Sequence, residues 1–171
     1  DSSKYTIELK LGENTSGTAI GLMDSVSWTN HFLIDTNYNN NISVWMAEGE
    51  VLDRNAINDE YSLSITADSS NGINTVLKAY QNGDYIATNT SASSIINNLH
   101  TNHDWTIGQD WDKNTRSDYF SGTIHEIRIW DDMRTDEELS ENFDKRLSGN
   151  EENLIGYWDF DSLSPRVDKS K

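Results

Sequence analysis

Short stretches in which apolar and polar residues alternate run through most of this chain, and they constrain its fold more than any other feature. Residues 5–11 alternate cleanly, and residues 61–67 put Tyr, Leu, Ile and Ala on one side and hydroxyl side chains on the other. Such period-two alternation is typical of half-buried β-strands. Strands are also predicted at residues 31–35, 42–46, 74–81, 85–88, 105–108, 123–130 and 154–160. Many short strands separated by Asn, Gly and Asp turns predict an all-β, antiparallel sandwich or jelly roll.

Two local signals refine this picture. Asn82-Gly83, between two alternating stretches, is typical of a tight hairpin because both residues tolerate a positive φ angle. Thr135 followed by Glu138 is a capping box, which predicts one short helix near the C-terminus. The expected apolar stripe of that helix consists of Leu139, Phe143 and Leu147. Lys145 and Arg146 are expected near its end, and Gly149 is a plausible stop.

Composition excludes several classes of protein. The chain has 171 residues, no cysteine and a formal net charge of −16. Without cysteine there is no disulfide or thiolate chemistry, and so acidic a chain is a poor partner for nucleic acid. No run of 18 apolar residues occurs, so membrane insertion is not expected. We expect one domain over residues 1–163, a tail or boundary over 164–171, and a parent protein that is larger and carries any targeting segment.

The last third of the chain resembles a known family. Residues 120–130, FSGTIHEIRIW, resemble a strand of concanavalin-A-like sandwich domains of the laminin-G/pentraxin type. The helix start at Thr135 and the strand at residues 154–160 match the same family, over roughly residues 104–161 in all. The resemblance implies a concanavalin-A-like jelly-roll sandwich of two antiparallel sheets with one short helix near the C-terminus. It also implies a role in binding glycans or proteins outside the cell, on a secreted or cell-surface protein.

Calcium is the cofactor that this resemblance implies. In pentraxins a Gly-Gln-acid-x-Asp stretch holds calcium through two carboxylates and the carbonyl between them, which here indicates Asp110, Asp112 and the carbonyl of Trp111. Calcium takes six to eight oxygen ligands. Further candidate ligands are Asn114, Asp118, Asn40 and Asn41. The alternative is a polar hairpin loop whose carboxylates are solvated; an EF-hand is excluded because its turn glycine and its final Glu are missing.

Aromatic residues supply the candidate sugar-binding positions, because their rings can stack on the apolar faces of sugars. Most tryptophans of a sandwich pack in its core, and Trp130, Trp158 and Trp105 are expected there. Trp45 shares a face with Ser43, opposite Ile42 and Val44, and is expected to be exposed or in a groove. The candidate ligand-binding residues are Trp111, Trp28, Tyr38, Trp45 and, for an acidic sugar, Arg116.

Catalysis is not expected. Retaining hydrolases of this fold place two carboxylates on one strand in a Glu-x-Asp-x-x-Glu pattern. In the nearest stretch, residues 126–131, Arg128 replaces the central Asp, so Glu126 is expected to pair with Arg128 or Arg116. No Gly-x-Ser-x-Gly elbow occurs.

The sequence therefore predicts a non-catalytic, lectin-like carbohydrate-binding module of a larger secreted or cell-surface protein, assisted by calcium. Its expected partner is a polysaccharide or a cell-surface glycan. Two alternatives stay open: a protein–protein adhesion or spacer domain, and a divergent glycoside hydrolase or lyase.

Overall fold

The alternating stretches pair into two antiparallel sheets. We describe them from a computed structural model of the chain, for residues 3–24, 29–38, 41–46, 49–55, 59–91, 103–112 and 114–161. The predicted concanavalin-A-like sandwich is confirmed, and the described residues contain a single short helix. The predicted tail, like the end of the proposed domain, lies outside the described residues, so the domain boundary stays a prediction.

The first sheet has six strands in the order β13-β12-β1-β6-β7-β8. Their bounds are β1 Lys4–Leu11, β6 Tyr61–Asp68, β7 Thr75–Gln81, β8 Asp84–Ser91, β12 Ile124–Trp130 and β13 Leu154–Asp159. The second sheet has five strands in the order β5-β4-β3-β2-β9. Their bounds are β2 Gly17–Asp24, β3 Thr29–Tyr38, β4 Asn41–Met46, β5 Gly49–Asn55 and β9 His103–Ile107. A separate two-stranded hairpin consists of β10 Asp110–Asp112 and β11 Thr115–Ser117.

The core lies between the two sheets and follows from the period of two. In β1 the side chains of Ile7 and Leu9 point inward, and Leu63 of β6 lies opposite Leu9. The second sheet contributes Ile34 of β3 and Val44 of β4, neither of which is exposed to solvent. Burial of alternate apolar residues from both sheets is the main force that holds such a sandwich together.

The helix α1 spans Asp136–Asn142 and packs on the outer face of the six-stranded sheet. Its predicted capping box is confirmed: the amide of Glu138 donates to the Thr135 hydroxyl oxygen, and the Thr135 amide donates to the Glu138 carboxylate. The predicted length is wrong, because the helix ends before Phe143 and has no basic residue in its last turn. Leu147 therefore lies beyond the helix, where it packs against the small apolar cluster around Trp130.

The outer face of this sheet carries a buried polar network next to α1. Arg128 is bonded to Glu126, as predicted, and lies 3.6 Å from a carboxylate oxygen of Glu8. The indole N–H of Trp130 donates to Glu8 over 2.6 Å, and the Tyr157 hydroxyl donates to Glu126 over 3.0 Å. Arg128 also donates to the main-chain carbonyls of Asn142 and Lys145. This arginine thus fixes the end of the helix to the sheet.

Candidate functional site

The β10–β11 hairpin lies over the outer face of the five-stranded sheet. Gly108, with φ of +79°, turns the chain out of β9; its amide donates to the Ala19 carbonyl over 3.0 Å. The hairpin then contacts β2 and β3. Gly21 on β2 leaves room for side chains of the two neighbouring strands, because a Cβ atom there would lie 2.8 Å from Leu33 Cδ2 and 2.9 Å from Thr106 Oγ1. The acidic stretch predicted as a loop is therefore a hydrogen-bonded hairpin.

Between strand β9 and this hairpin lies an open groove with a volume of about 450 Å³. Its walls combine aromatic, apolar and polar side chains. They include Asp104, Trp105, Ile107, Gln109, Trp111 and Arg116. Thr106 also lines it and donates to the Gln109 carbonyl over 2.8 Å, which ties the hairpin to the strand. We call this feature the β9–hairpin groove.

Two of the predicted ligand-binding residues come together in the groove. Trp111 on β10 and Arg116 on β11 are directly opposite each other in the hairpin. The guanidinium carbon of Arg116 lies over the Trp111 ring, 5.2 Å from its centre. Trp111 is half-buried and Arg116 is exposed. This contact is a cation–π interaction, so the ring that was predicted to stack on sugar also contacts a cation, and its stacking on sugar stays a prediction.

The predicted calcium ligands on the hairpin differ in depth. Asp110 is buried and accepts a hydrogen bond of 2.6 Å from the Ser117 hydroxyl, whereas Asp112 and Asn114 are exposed. Asp118 is also exposed, with φ of +42°, and its carbonyl accepts from the Thr18 amide.

The other predicted ligands lie apart from the hairpin in the chain. Asn41 begins β4, opposite Tyr38, and Asn40 lies outside the described residues. Among the residues that the structure describes, no three or more His, Cys, Asp or Glu side chains are grouped to hold a metal. With one oxygen from each side chain, the four predicted ligands near the hairpin supply fewer than the six to eight oxygens that calcium takes. The described residues therefore do not form a complete site, and calcium stays a prediction.

The other predicted aromatic positions lie outside the groove. Trp45 on β4 is opposite Leu33, on the outer face of the five-stranded sheet, and is half-buried. Ile42 and Val44 point into the core, as the alternation predicts. Trp28 and the side chain of Tyr38 lie outside the described residues. Trp105, predicted to be a core residue, packs against the core and at the same time lines the groove.

Sequence reasoning missed four residues of the groove, one of which is Thr106, and one buried pair. Asp104, Ile107 and Gln109 line the groove but carry no signal of their own. Under the hairpin side of the sheet, the Thr18 hydroxyl donates to the buried carboxylate of Asp35 over 2.5 Å. Gly108, with its positive φ angle, is the one local hint in the sequence of the turn that leads from β9 to the hairpin.

Glu126, which begins the stretch nearest to the hydrolase pattern, lies on the other sheet from this groove. It lies on the six-stranded sheet and is bonded to Arg128 and Tyr157. A smaller cleft of about 170 Å³ lies nearby, and most of the charged side chains that line it form ion pairs, as in the 2.7 Å contact between Arg146 and Asp159. Among the residues described on the groove walls, Asp104 is the one carboxylate.

Comparison with known proteins establishes the family. Residues 1–140 match the family model described as the concanavalin A-like lectin/glucanases superfamily, so the chain belongs to that superfamily, in its laminin-G-like branch. No curated protein sequence matches the chain. No helix in the described ranges is long and apolar enough to span a lipid bilayer.

Solved structures share the fold at low sequence identity. A candidate carbohydrate-binding protein of Bacteroides ovatus superposes with a TM-score of 0.69 and 18% identity; the match covers 96% of this chain and 47% of that one. The chain thus spans about half of this relative's length. The CBM40 domain of a Ruminococcus gnavus IT-sialidase, bound to α2,6-sialyllactose, superposes with a TM-score of 0.56 and 18% identity. The match covers 81% of this chain and 80% of that one. A heptameric SAP-like pentraxin of Limulus polyphemus superposes with a TM-score of 0.56 and 15% identity, and the match covers 81% of this chain and 69% of that one.

Proposed function

We propose that this chain is a non-catalytic carbohydrate-binding module of a larger secreted or cell-surface protein, and that it binds glycan in the β9–hairpin groove. The observation that carries the proposal is the groove itself, where two tryptophans meet polar side chains in an open cleft. Sugar sites need apolar surface for the ring C–H groups and a few directed polar groups for the hydroxyls. Two solved neighbours of the fold are described by carbohydrate binding, which supports the proposal.

Each wall of the groove has a distinct part in this binding. Trp105 is half-buried and fixed against the core, and Ile107 is 41% exposed, so together they offer a rigid apolar surface to one face of a sugar. Asp104 is exposed and can accept hydrogen bonds from sugar hydroxyls, and Gln109 can both donate and accept. Little ordering is needed on binding because the hairpin is already tied to β9 through Thr106.

The arrangement of carboxylates supports binding without catalysis. Hydrolysis of a glycosidic bond uses two carboxyl groups, about 5–9.5 Å apart, on either side of the scissile bond. In the part of the groove that the structure describes, Asp104 has no second carboxylate facing it on the wall. Glu126, the other candidate, is held by Arg128 and Tyr157 on the opposite sheet.

A glycan array followed by calorimetry with the best ligand tests the proposal. We expect Trp111→Ala to weaken binding at least about tenfold, because it removes aromatic surface and the support of Arg116. Tyr85→Ala is the matched control: Tyr85 is an aromatic side chain, 55% exposed, on the other sheet. Equal binding by both variants, with unchanged melting temperatures, contradicts the groove as the site. An array on which no glycan binds contradicts the function.

We further propose that calcium stabilises the hairpin through Asp112 together with Asp110. Because Asp110 is buried and bonded to Ser117, its replacement disturbs the fold directly, and Asp112→Asn is the cleaner variant. Calcium should raise the melting temperature of the wild-type protein and of the control variant Asp84→Asn, which changes an exposed aspartate of the β7–β8 hairpin. It should leave that of Asp112→Asn unchanged. An equal rise in all three proteins, or no rise in any, refutes the assignment.

A further inference from the structure

Arg116 differs from the other arginines whose side chains the structure describes in its lack of an ionic partner among the described residues. Three other arginines of the described residues are bonded to carboxylates: Arg128 to Glu126, Arg134 to Glu138, and Arg146 to Asp159. Arg116 has no hydrogen bond or ion pair with any described residue, and its guanidinium makes a cation–π contact with the Trp111 ring. In a chain with 29 acidic residues against 13 lysines and arginines, a cation that remains unpaired at a groove is a candidate for ligand binding.

The stack on Trp111 prepares this guanidinium for a planar acceptor. Contact with an aromatic ring covers a face of the guanidinium and leaves the N–H groups at its edge available. Arg116 lies opposite Trp111 in the hairpin, so the pair is held by the strand register as well as by the stack. A fixed fork of N–H donors matches the two oxygens of a carboxylate, which it binds with two parallel hydrogen bonds.

The rest of the groove limits what can carry that carboxylate. Trp105 and Ile107 present an apolar surface next to the hairpin, which suits the ring of a sugar rather than a free small anion. Asp104 lines the same groove and makes no ion pair with Arg116. The Asp104 carboxylate accepts hydrogen bonds from sugar hydroxyl groups and repels other carboxylates. It therefore favours a ligand with one carboxylate, bound at Arg116, over a ligand with several.

The net charge of −16 acts in the same direction. Repulsion from distant carboxylates is screened beyond about 8 Å at physiological ionic strength. A single carboxylate at Arg116 is therefore dominated by the nearby guanidinium. A densely charged polymer would bring many of its negative groups within this distance of surface carboxylates, and their repulsion disfavours its binding.

We propose that the β9–hairpin groove recognises a glycan with an isolated carboxylate, either a uronic acid or a sialic-acid-type sugar, and that Arg116 binds this carboxylate. The proposal rests on the carbohydrate-binding function and specifies its ligand. The sugar ring packs on Trp105 and Ile107, the carboxylate lies against the edge of the Arg116 guanidinium, and hydroxyl groups bond to Asp104.

Calorimetry with matched ligands tests this proposal. The probes are α2,6-sialyllactose against lactose, and a disaccharide ending in one uronic acid against its uncharged methyl ester. Polygalacturonate represents the dense polyanion. We expect one of the two acidic probes to bind at least about tenfold more tightly than its uncharged partner. Which one does so distinguishes the two sources of carboxylate.

Two variants then assign the preference to Arg116. Arg116→Gln should weaken binding of the acidic probe by about 10- to 100-fold and leave binding of the uncharged probe unaffected, because a charged hydrogen bond is lost. Arg116→Lys should recover part of the affinity, since it retains the charge without the planar fork. Unchanged melting temperatures of both variants exclude an effect through folding.

The outcomes separate this inference from the function on which it rests. Equal binding of charged and uncharged probes, or an acid preference that survives in Arg116→Gln, overturns the inference while glycan binding stands. Tighter binding of polygalacturonate than of either monoacidic probe overturns the preference for an isolated carboxylate. Absence of binding to these probes and to every glycan of a general array overturns both.

Discussion

Two arginine–tryptophan stacks in this molecule differ in what surrounds them. On the six-stranded sheet the guanidinium carbon of Arg134 lies 4.4 Å from the ring centre of Trp130, and on the hairpin that of Arg116 lies 5.2 Å from the ring centre of Trp111. Arg134 is also bonded to Asp132 and Glu138, whereas Arg116 has no such partner among the described residues. The same pair of residue types is thus part of a closed network in one place and is open to a ligand in the other.

The difference teaches how structural and functional polar groups can be distinguished in an acidic protein. Next to α1 the buried donors are matched with carboxylates and main-chain carbonyls, so a ligand has nothing left to satisfy there. In the groove the guanidinium edge and the exposed Asp104 face solvent. We propose that the first arrangement contributes to stability and the second to binding, and the two proposals can be tested separately.

The largest expected effect is that of Arg128→Met. This substitution leaves the buried Glu8 and Glu126 without their cation and removes two donors from the carbonyls at the end of α1. Removal of one partner from a buried ion pair costs about 3–5 kcal/mol of unfolding free energy. Urea unfolding measures it.

The matched control for that prediction is Arg146→Met. Arg146, between α1 and β13, makes a 2.7 Å ion pair with Asp159 of β13, but its side chain is 63% exposed, and we expect a loss below about 1 kcal/mol. Similar losses in the two variants contradict the view that the buried network determines stability on this side of the molecule.

A smaller, pH-dependent effect is expected from Glu8→Gln. Burial raises the pKa of Glu8 above its ordinary value of 4.5, although the charge of Arg128 opposes this. The folded state therefore binds the proton more tightly than the unfolded state. Stability from this group is present at low pH and is lost as the pH rises from 4.5 through the raised folded-state pKa. Glutamine cannot ionise and can still accept the hydrogen bond from Trp130.

The measurement is the unfolding free energy of the wild type and of the variant from about pH 4 to about pH 8. Between pH 4.5 and the raised pKa of Glu8, the unfolding free energy of the variant should increase relative to that of the wild type by about 1.4 kcal/mol for each pH unit. Above that pKa the difference should stay constant. The control variant Glu137→Gln, at an exposed position of α1, should show the same change of unfolding free energy with pH as the wild type. A constant difference between Glu8→Gln and the wild type refutes a raised pKa of Glu8.

The parts of this fold that the sequence predicted depend on local patterns. Strand alternation, the Asn82-Gly83 turn with φ angles of 50° and 80°, and the capping box at Thr135 are all read from neighbouring residues, and all are confirmed. The end of α1 was predicted too late because it depends on Arg128, which is distant in sequence and takes the carbonyls of Asn142 and Lys145.

The groove depends on contacts that the sequence does not encode locally. It forms where β9 pairs with β2 and where the hairpin lies over Gly21, so the groove positions of Asp104 and Ile107 follow from long-range register. Trp111 and Arg116 could be named in advance because both belong to one short acidic segment. Their stack across the hairpin could not, since the segment was predicted as a loop rather than as paired strands.

The smallest effects on stability are expected from Arg134→Met and Arg116→Met, which together test the comparison of the two arginine–tryptophan contacts most directly. Arg134→Met loses two ion pairs of partly exposed groups and a stacked cation, for which we expect a loss of about 1 kcal/mol in unfolding free energy. Arg116→Met should lose less than about 0.5 kcal/mol of unfolding free energy, because the exposed guanidinium has no ionic partner among the residues that the structure describes.

Binding should reverse that order. Arg116→Met removes the proposed donor to a glycan carboxylate, whereas Arg134 lies on the other sheet, among the groups that hold α1. Calorimetry with the tightest acidic glycan should therefore detect a loss for Arg116→Met and none for Arg134→Met. If Arg116→Met instead costs as much stability as Arg134→Met and binds glycan normally, the hairpin stack is structural like its counterpart, and the distinction between closed and open arginines fails for this protein.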